Sequence, residues 1–171
     1  MSSQGELILE RPSIELEPVK ALYRRAPYQS ARETIGELRP GMWLCAMTRG
    51  QFSLLDVLLH VLTFTGPADV VIATFSVGVQ DSAHMRLLLD KEKIKSMRLL
   101  VDSSVRTFRS KEFQDLAAAW GKGAVHASHL HAKFLLVSSP GWRVVVRCSM
   151  NWNCNRRFEQ FDLDESPEMW E

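Results

Sequence analysis

The feature that most limits what this chain can fold into is an alternation of short β-branched runs with helical segments through its middle. The run "ADVVIATFSV" (68–77) favours a central, buried strand. "DSAHMRLLLDKEKIK" (81–95) follows as a helix with Asp81 or Ser82 at its start, and "SMRLLVD", ending at Asp102, reads as a further strand. "SKEFQDLAAAWG" (110–121) is a helix that Ser110 can cap and Gly121 can end. Upstream, "MWLCAMT" (42–48) reads as a buried strand. "SLLDVLLHVLTF" (53–64) reads as a helix with a Ser53-x-x-Asp56 start signal and Leu55, Leu58, Leu59 and Leu62 on one face. Downstream the pattern changes. "AVHASHLHAKFLLVS" (124–138), "WRVVVRCS" (142–149) and "RFEQFDL" (157–163) all read as strands. Alternation followed by a strand-rich end predicts an α/β fold, a mixed β-sheet flanked by helices on both faces.

A length of 171 residues suits one domain, and 46% apolar with 24% charged residues suits a globular core. Residues 1–40 read as a peripheral N-terminal arm, partly helical between Ser30 and Leu38, ahead of a domain over 41–171. The first twenty residues are too acidic and too broken for a signal peptide. The most apolar stretch is shorter than a membrane span and contains Asp56 and His60. Three cysteines, Cys45, Cys148 and Cys154, with no C-x-x-C spacing, fit a reducing compartment better than a disulfide scaffold. These readings together predict a cytoplasmic protein with no membrane partner.

Net charge is only +1, but its distribution is uneven. From Leu116 to Phe158 there is no Asp or Glu, while Lys122, Lys133, Arg143, Arg147, Arg156 and Arg157 fall there with His126, His129 and His131. Such a stretch sets up a local positive field that attracts an anion. Attack on a phosphodiester needs a nucleophile that can hold a phosphoryl group, donors for the non-bridging oxygens, and an acid for the leaving oxygen. His131 is the candidate nucleophile, with Lys133 on the same face of a strand. Ser149, Asn151 and Asn153 are compact phosphate-binding candidates after the next strand, and Arg147 and His129 are candidate substrate contacts. A carboxylate at Glu159 can accept from an imidazole N–H and raise the basicity of the ring.

The order of these residues resembles the phospholipase D superfamily, whose signature is H-x-K-x4-D followed by G-S-x-N and a downstream Glu. His131, Lys133, Ser149, Asn151 and Glu159 match in order, over a resemblance that runs from about residue 50 to 163. Two positions depart from the signature: its Asp falls at Ser138 and its Gly at Cys148. The tyrosyl-DNA phosphodiesterase branch also lacks that Asp. The resemblance implies a phospholipase D-like sheet and a covalent phosphohistidine on His131, with His131, Lys133, Asn151 and Glu159 catalytic and no metal or other cofactor. Members usually carry two signatures around one site, and this chain carries one copy. A homodimer with the site on its twofold axis is therefore implied, and the single-motif nucleases make DNA the expected substrate.

Two other readings of the same residues stand beside it. In one, the chain binds DNA or another phosphoanion without turnover, having lost activity with Ser138 and Cys148. In the other, His126, His129 and His131 with Cys148 or Cys154 hold a zinc ion, although their spacing gives no regular four-ligand set.

Overall fold

The computed structural model describes residues 27–75, 77, 79–121, 123–152, 157–165 and 167. Its described strands form one seven-stranded mixed sheet. In chain order they are β1 (Trp43–Thr48), β2 (Ala68–Thr74), β3 (Ile94–Asp102), β4 (Val125–Ser128), β5 (Phe134–Ser139), β6 (Trp142–Cys148) and β7 (Glu159–Glu165). Across the sheet the order is β1-β7-β6-β5-β2-β3-β4. β2, β3 and β4 run parallel, and β5, β6, β7 and β1 pair antiparallel.

Five described helices connect and cover it: α1 (Pro27–Ile35), α2 (Leu54–Thr65), α3 (Val79–Asp90), α4 (Ser103–Phe108) and α5 (Ser110–Trp120). α2 packs on β5 with α1 behind it, while α3, α4 and α5 gather around β3 and β4. Three consecutive residues of β6, Val144, Val145 and Val146, are buried, so both faces of the sheet are covered there. α2 buries Leu54, Val57, Leu58 and Val61 completely, each worth about 1.5–3 kcal/mol of transfer free energy. Its start signal is realised: the Asp56 carboxylate accepts from both the backbone N–H and the hydroxyl of Ser53, each at 2.8 Å. Ala31 and Ile35 of α1, and Leu38 beyond it, are buried in the same core.

Three local readings change, the first being the helix read over 81–95: it runs from Val79 to Asp90, starting ahead of Asp81 and Ser82, and Ile94 and Lys95 open β3. "MWLCAMT" is not buried on both sides. Among the described strands β1 pairs only with β7, at the edge of the sheet, and it alternates exposed Trp43, Cys45 and Met47 with buried Leu44, Ala46 and Thr48. "AVHASHLHAKFLLVS" is not one strand but two, β4 and β5, which lie three positions apart in the sheet with residues 129–133 linking them. Local apolar spacing cannot separate one long strand from two short ones that pair with different neighbours. β5 and β6 are joined through Pro140 and Gly141 alone, since Ser139 pairs with Trp142. Proline presets the first turn residue, and Gly141 supplies a positive φ of 93° at the second.

Candidate active site

The register brings one end of every strand to a common edge. Thr48 lies opposite Glu159, Cys148 opposite Phe161, Phe134 opposite Arg147, Ala73 opposite Phe134, Thr74 opposite Val101, and Asp102 opposite Ser128. Two backbone bonds extend the ladder past the strands, from the Cys148 N–H to the Lys133 carbonyl and from the Ser149 N–H to the Gln160 carbonyl, both 3.0 Å. This edge is the carboxyl end of the parallel strands β2, β3 and β4, where open α/β sheets present their ligand sites. His129, His131, Lys133, Ser149, Asn151 and Glu159 all belong to it. With strands about 4.8 Å apart and Glu159 two residues along β7 from the position opposite Lys133, the two backbones are about 12 Å from each other.

His131 precedes β5 and is exposed, its ring 6.1 Å from that of half-exposed Phe75 at the end of β2. Lys133 is half-buried, and its Nζ donates to the His131 carbonyl at 3.1 Å. Ser149 Oγ donates to the carboxylate of buried Glu159 and accepts from the Gln160 N–H at 3.0 Å. The segment after β6 then crosses toward β2. Trp152, which is 1% exposed, anchors it by donating its backbone N–H to the buried Thr74 Oγ1 at 3.2 Å. Asn151 is held between two buried side chains, Met150 and Trp152. Its Oδ1 is buried and meets no donor among the described residues. A half-turn about χ2 exchanges Oδ1 and Nδ2, so the same position can present a donor to an anion.

Cys148 stands where the signature has glycine. Its thiol is directed at backbone carbonyls, Met150 O at 3.5 Å and Lys133 O at 3.8 Å. Burial pushes its pKa up to about 12. The nearby Lys133 charge works against that rise, and the Glu159 charge adds to it. A neutral thiol holding two carbonyls serves packing and strand-end geometry rather than nucleophilic attack.

Ser138, at the position of the signature's Asp, lies at the opposite end of β5, paired with Arg143 and Asp69. Five residues of extended chain separate it from Lys133, about 17 Å. The departure there is remote from the polar edge. Arg147 is engaged by the Asp164 carboxylate of β7. His129 follows β4, its Nδ1 3.2 Å from Ser103 Oγ. His126 sits on edge strand β4, with Nε2 2.9 Å from the Gly123 carbonyl. The described residues contain no group of three or more His, Cys, Asp or Glu side chains placed to share a metal ion. Asn153 and Cys154 lie outside the described residues.

Sequence reasoning missed Asp102 as the residue that organises the 129–133 segment. One carboxylate oxygen accepts from the Ser104 N–H at 2.9 Å, capping α4, and the other accepts from the Leu130 N–H at 3.1 Å. Hydrogen bonds from Ser104 first, then from the Leu130 amide, hold its pKa down to about 2. The "VDSS" step, a strand ending in Asp before two serines, carries the capping signal. Only the fold shows its second partner, 28 residues away.

No family model matches the chain, and no curated protein matches it. Among solved structures, it is similar to the polyphosphate kinase of Porphyromonas gingivalis, with TM-score 0.53 and 11% identity. That match covers 94% of this chain and 28% of the kinase. The fold is phospholipase D-like. At that identity the likeness concerns the fold, and the chain spans little more than a quarter of the kinase. It is also similar to TrmBL2, an archaeal chromatin protein, with TM-score 0.42 and 10% identity over 81% of this chain and 51% of that one. No described helix is long and apolar enough to cross a membrane.

Proposed function

We propose that the chain is a metal-independent phosphodiesterase, a nuclease acting on DNA through a covalent phosphohistidine on His131, in a site completed by a second copy of the chain. The observation that carries this reading is the common sheet edge. It holds an exposed imidazole, a lysine two residues on, a buried Asn151 amide oxygen that meets no donor among the described residues, and a serine–glutamate pair, Ser149 with Glu159. His131 attacks phosphorus. A P–N bond forms as a P–O bond breaks, and the leaving oxygen takes a proton from the second copy's imidazole. Water then attacks phosphorus: its OH stays there as the P–N bond breaks and frees His131, and its other proton returns to the second copy's imidazole. Lys133, released from the His131 carbonyl, and Asn151, turned to present Nδ2, would sit on the non-bridging oxygens, where charge builds up in the transition state; Ser149 would join them only by taking its hydroxyl proton off Glu159. Glu159 fixes the Ser149 hydroxyl and, as the resemblance implies, polarises the imidazole.

The test is cleavage of plasmid, single-stranded DNA and bis-p-nitrophenyl phosphate, with and without EDTA, by the wild type and His131→Asn. Light scattering on the same samples reads the oligomeric state. Activity that survives EDTA and is lost in His131→Asn, in a dimer, is the expected result. Cleavage only with added Mg²⁺, equal in both proteins, would overturn it.

A second reading, binding of a phosphoanion without turnover, is favoured by the Lys133 ammonium resting on its own segment's carbonyl. DNA binding by the wild type with no cleavage of any substrate would put it first.

A further inference from the structure

α4 and the start of α5 carry a feature that the phosphodiester chemistry does not use. Phe108 is 83% exposed, more than any other large hydrophobic side chain among the described residues. Neither helix uses it for packing: α4 buries Val105, and α5 sets Phe113 against the core. Exposed Arg106, Arg109 and Lys111 surround it in sequence. Among the described residues Arg106 and Arg109 have no ion-pair partner, and Lys111 has only a solvent-exposed one, Asp115 at 3.9 Å. Lone exposed apolar side chains are common on protein surfaces. This one is set apart by its cations and by its place.

That place is the candidate active edge. α4 begins at Ser103, which follows directly on Asp102 and contacts His129. Phe108 ends the same helix, about 7.5 Å along its axis. One further aromatic ring, Phe75, stands nearer the imidazole, its centroid 6.1 Å from that of His131. An exposed ring whose sequence neighbours Arg106 and Arg109 are exposed cations is complementary to an unstacked base whose neighbouring phosphates need charge. A duplex keeps its bases stacked on one another and offers such a ring nothing.

We infer that α4 is a docking platform for single-stranded nucleic acid, with one base stacked on Phe108 and its flanking phosphates on Arg106 and Arg109. The inference rests on the phosphodiesterase reading for where the strand leads, and it names the substrate class of that site.

Binding by the full-length chain is followed by fluorescence anisotropy in the His131→Asn background, where turnover is absent by design. The probes are fluorescein-labelled dT12, rU12 and a 12-base-pair DNA duplex. Phe108→Ala should weaken dT12 or rU12 binding about 5- to 150-fold, the worth of one base–aromatic stack. It should change duplex binding less than about twofold, the scatter expected where no stack exists. Phe108→Tyr should restore single-strand affinity. Arg109→Ala should lower the salt dependence of single-strand binding by about 0.7 in log–log slope, one phosphate contact. A preference between rU12 and dU12, used as a fourth probe because dT12 also differs by its 5-methyl group, identifies the sugar.

The inference is overturned if Phe108→Ala leaves single-strand affinity unchanged, or lowers duplex affinity equally. It is also overturned if Phe108→Ala alters the light-scattering mass instead, which would make Phe108 a contact between copies of the chain. If the wild type cleaves nothing but Phe108→Ala still loses single-strand affinity, the platform stands and the phosphodiesterase reading falls. If cleavage depends on His131 but not on Phe108, the reverse holds.

Discussion

Thr74→Val tests how the crossing segment is held in place. Thr74 is fully buried at the end of β2, and its hydroxyl accepts the Trp152 backbone N–H at 3.2 Å, alongside its other contacts. Valine keeps the shape and removes the acceptor. The buried amide is then left without a partner, at a cost of about 1–3 kcal/mol. The added methyl returns somewhat under about 1 kcal/mol by burial. A net loss of about 1–2 kcal/mol lowers the melting temperature of a chain this size by about 2–8 °C. Scanning calorimetry reads that shift, and hydrogen exchange at the Trp152 amide reads its origin, because this amide should lose protection before the β6 amides do. Thr74→Ser, which keeps the hydroxyl, should retain the protection. Because Trp152 anchors its neighbour Asn151, Thr74→Val should also lower the proposed phosphodiesterase turnover at temperatures where the protein remains folded. An unchanged melting temperature together with an unchanged Trp152 amide would refute the reasoning.

Three further outcomes are expected. Ser138→Asp restores the signature residue about 17 Å of strand away from Lys133; it should leave DNA binding and cleavage unchanged, and a large gain in rate would show that position reaching the site. Cys148, with a pKa pushed up to about 12 by burial, holds its thiol protonated at pH 8. Iodoacetamide followed by peptide mass analysis should therefore label it only after unfolding, and rapid labelling of the native protein would contradict its burial. Asp102 binds its proton less readily in the folded chain than the usual 3.8, with a pKa of about 2. Its contribution to stability is thus complete above about pH 4 and is lost as pH falls toward 2. Melting curves over that range should fall more steeply for the wild type than for Asp102→Asn, and parallel curves would remove the carboxylate from that role.

Much of the architecture was legible locally. The Ser53–Asp56 start of α2, the β-branched run of β2 and Gly121 after α5 each state their structure within a few residues, because capping, burial on both faces and positive φ act over one turn or one strand. α4 was not legible: Asp102 ends a strand and caps a helix in the same step, and six residues are too few to show a helical period. The break at 129–133 was also hidden, since His129, His131 and Lys133 keep the alternation of a strand through a segment that has left the sheet. Of the candidate site, the residue types and their order were readable. The Ser149–Glu159 contact, the anchoring of Asn151 through Trp152 and the engagement of Arg147 by Asp164 were not, because each joins residues whose separation in sequence carries no information about distance.

By itself the sequence determined the alternating α/β pattern, the acid-free stretch from 116 to 158, and the set of imidazole, ammonium, amide and carboxylate groups the chain has available. Periodicity and composition are properties of neighbouring residues, so they survive without a fold. The tertiary structure decided which of those groups share an edge. β5 inserts between β2 and β6, bringing Lys133 beside both Cys148 and the end of β2, while the same strand carries Ser138 to the far side of the sheet. Strand order is settled by long-range burial and backbone pairing, in which each strand satisfies its hydrogen bonds with whichever neighbours also cover its apolar faces, and no local stretch of residues specifies that choice.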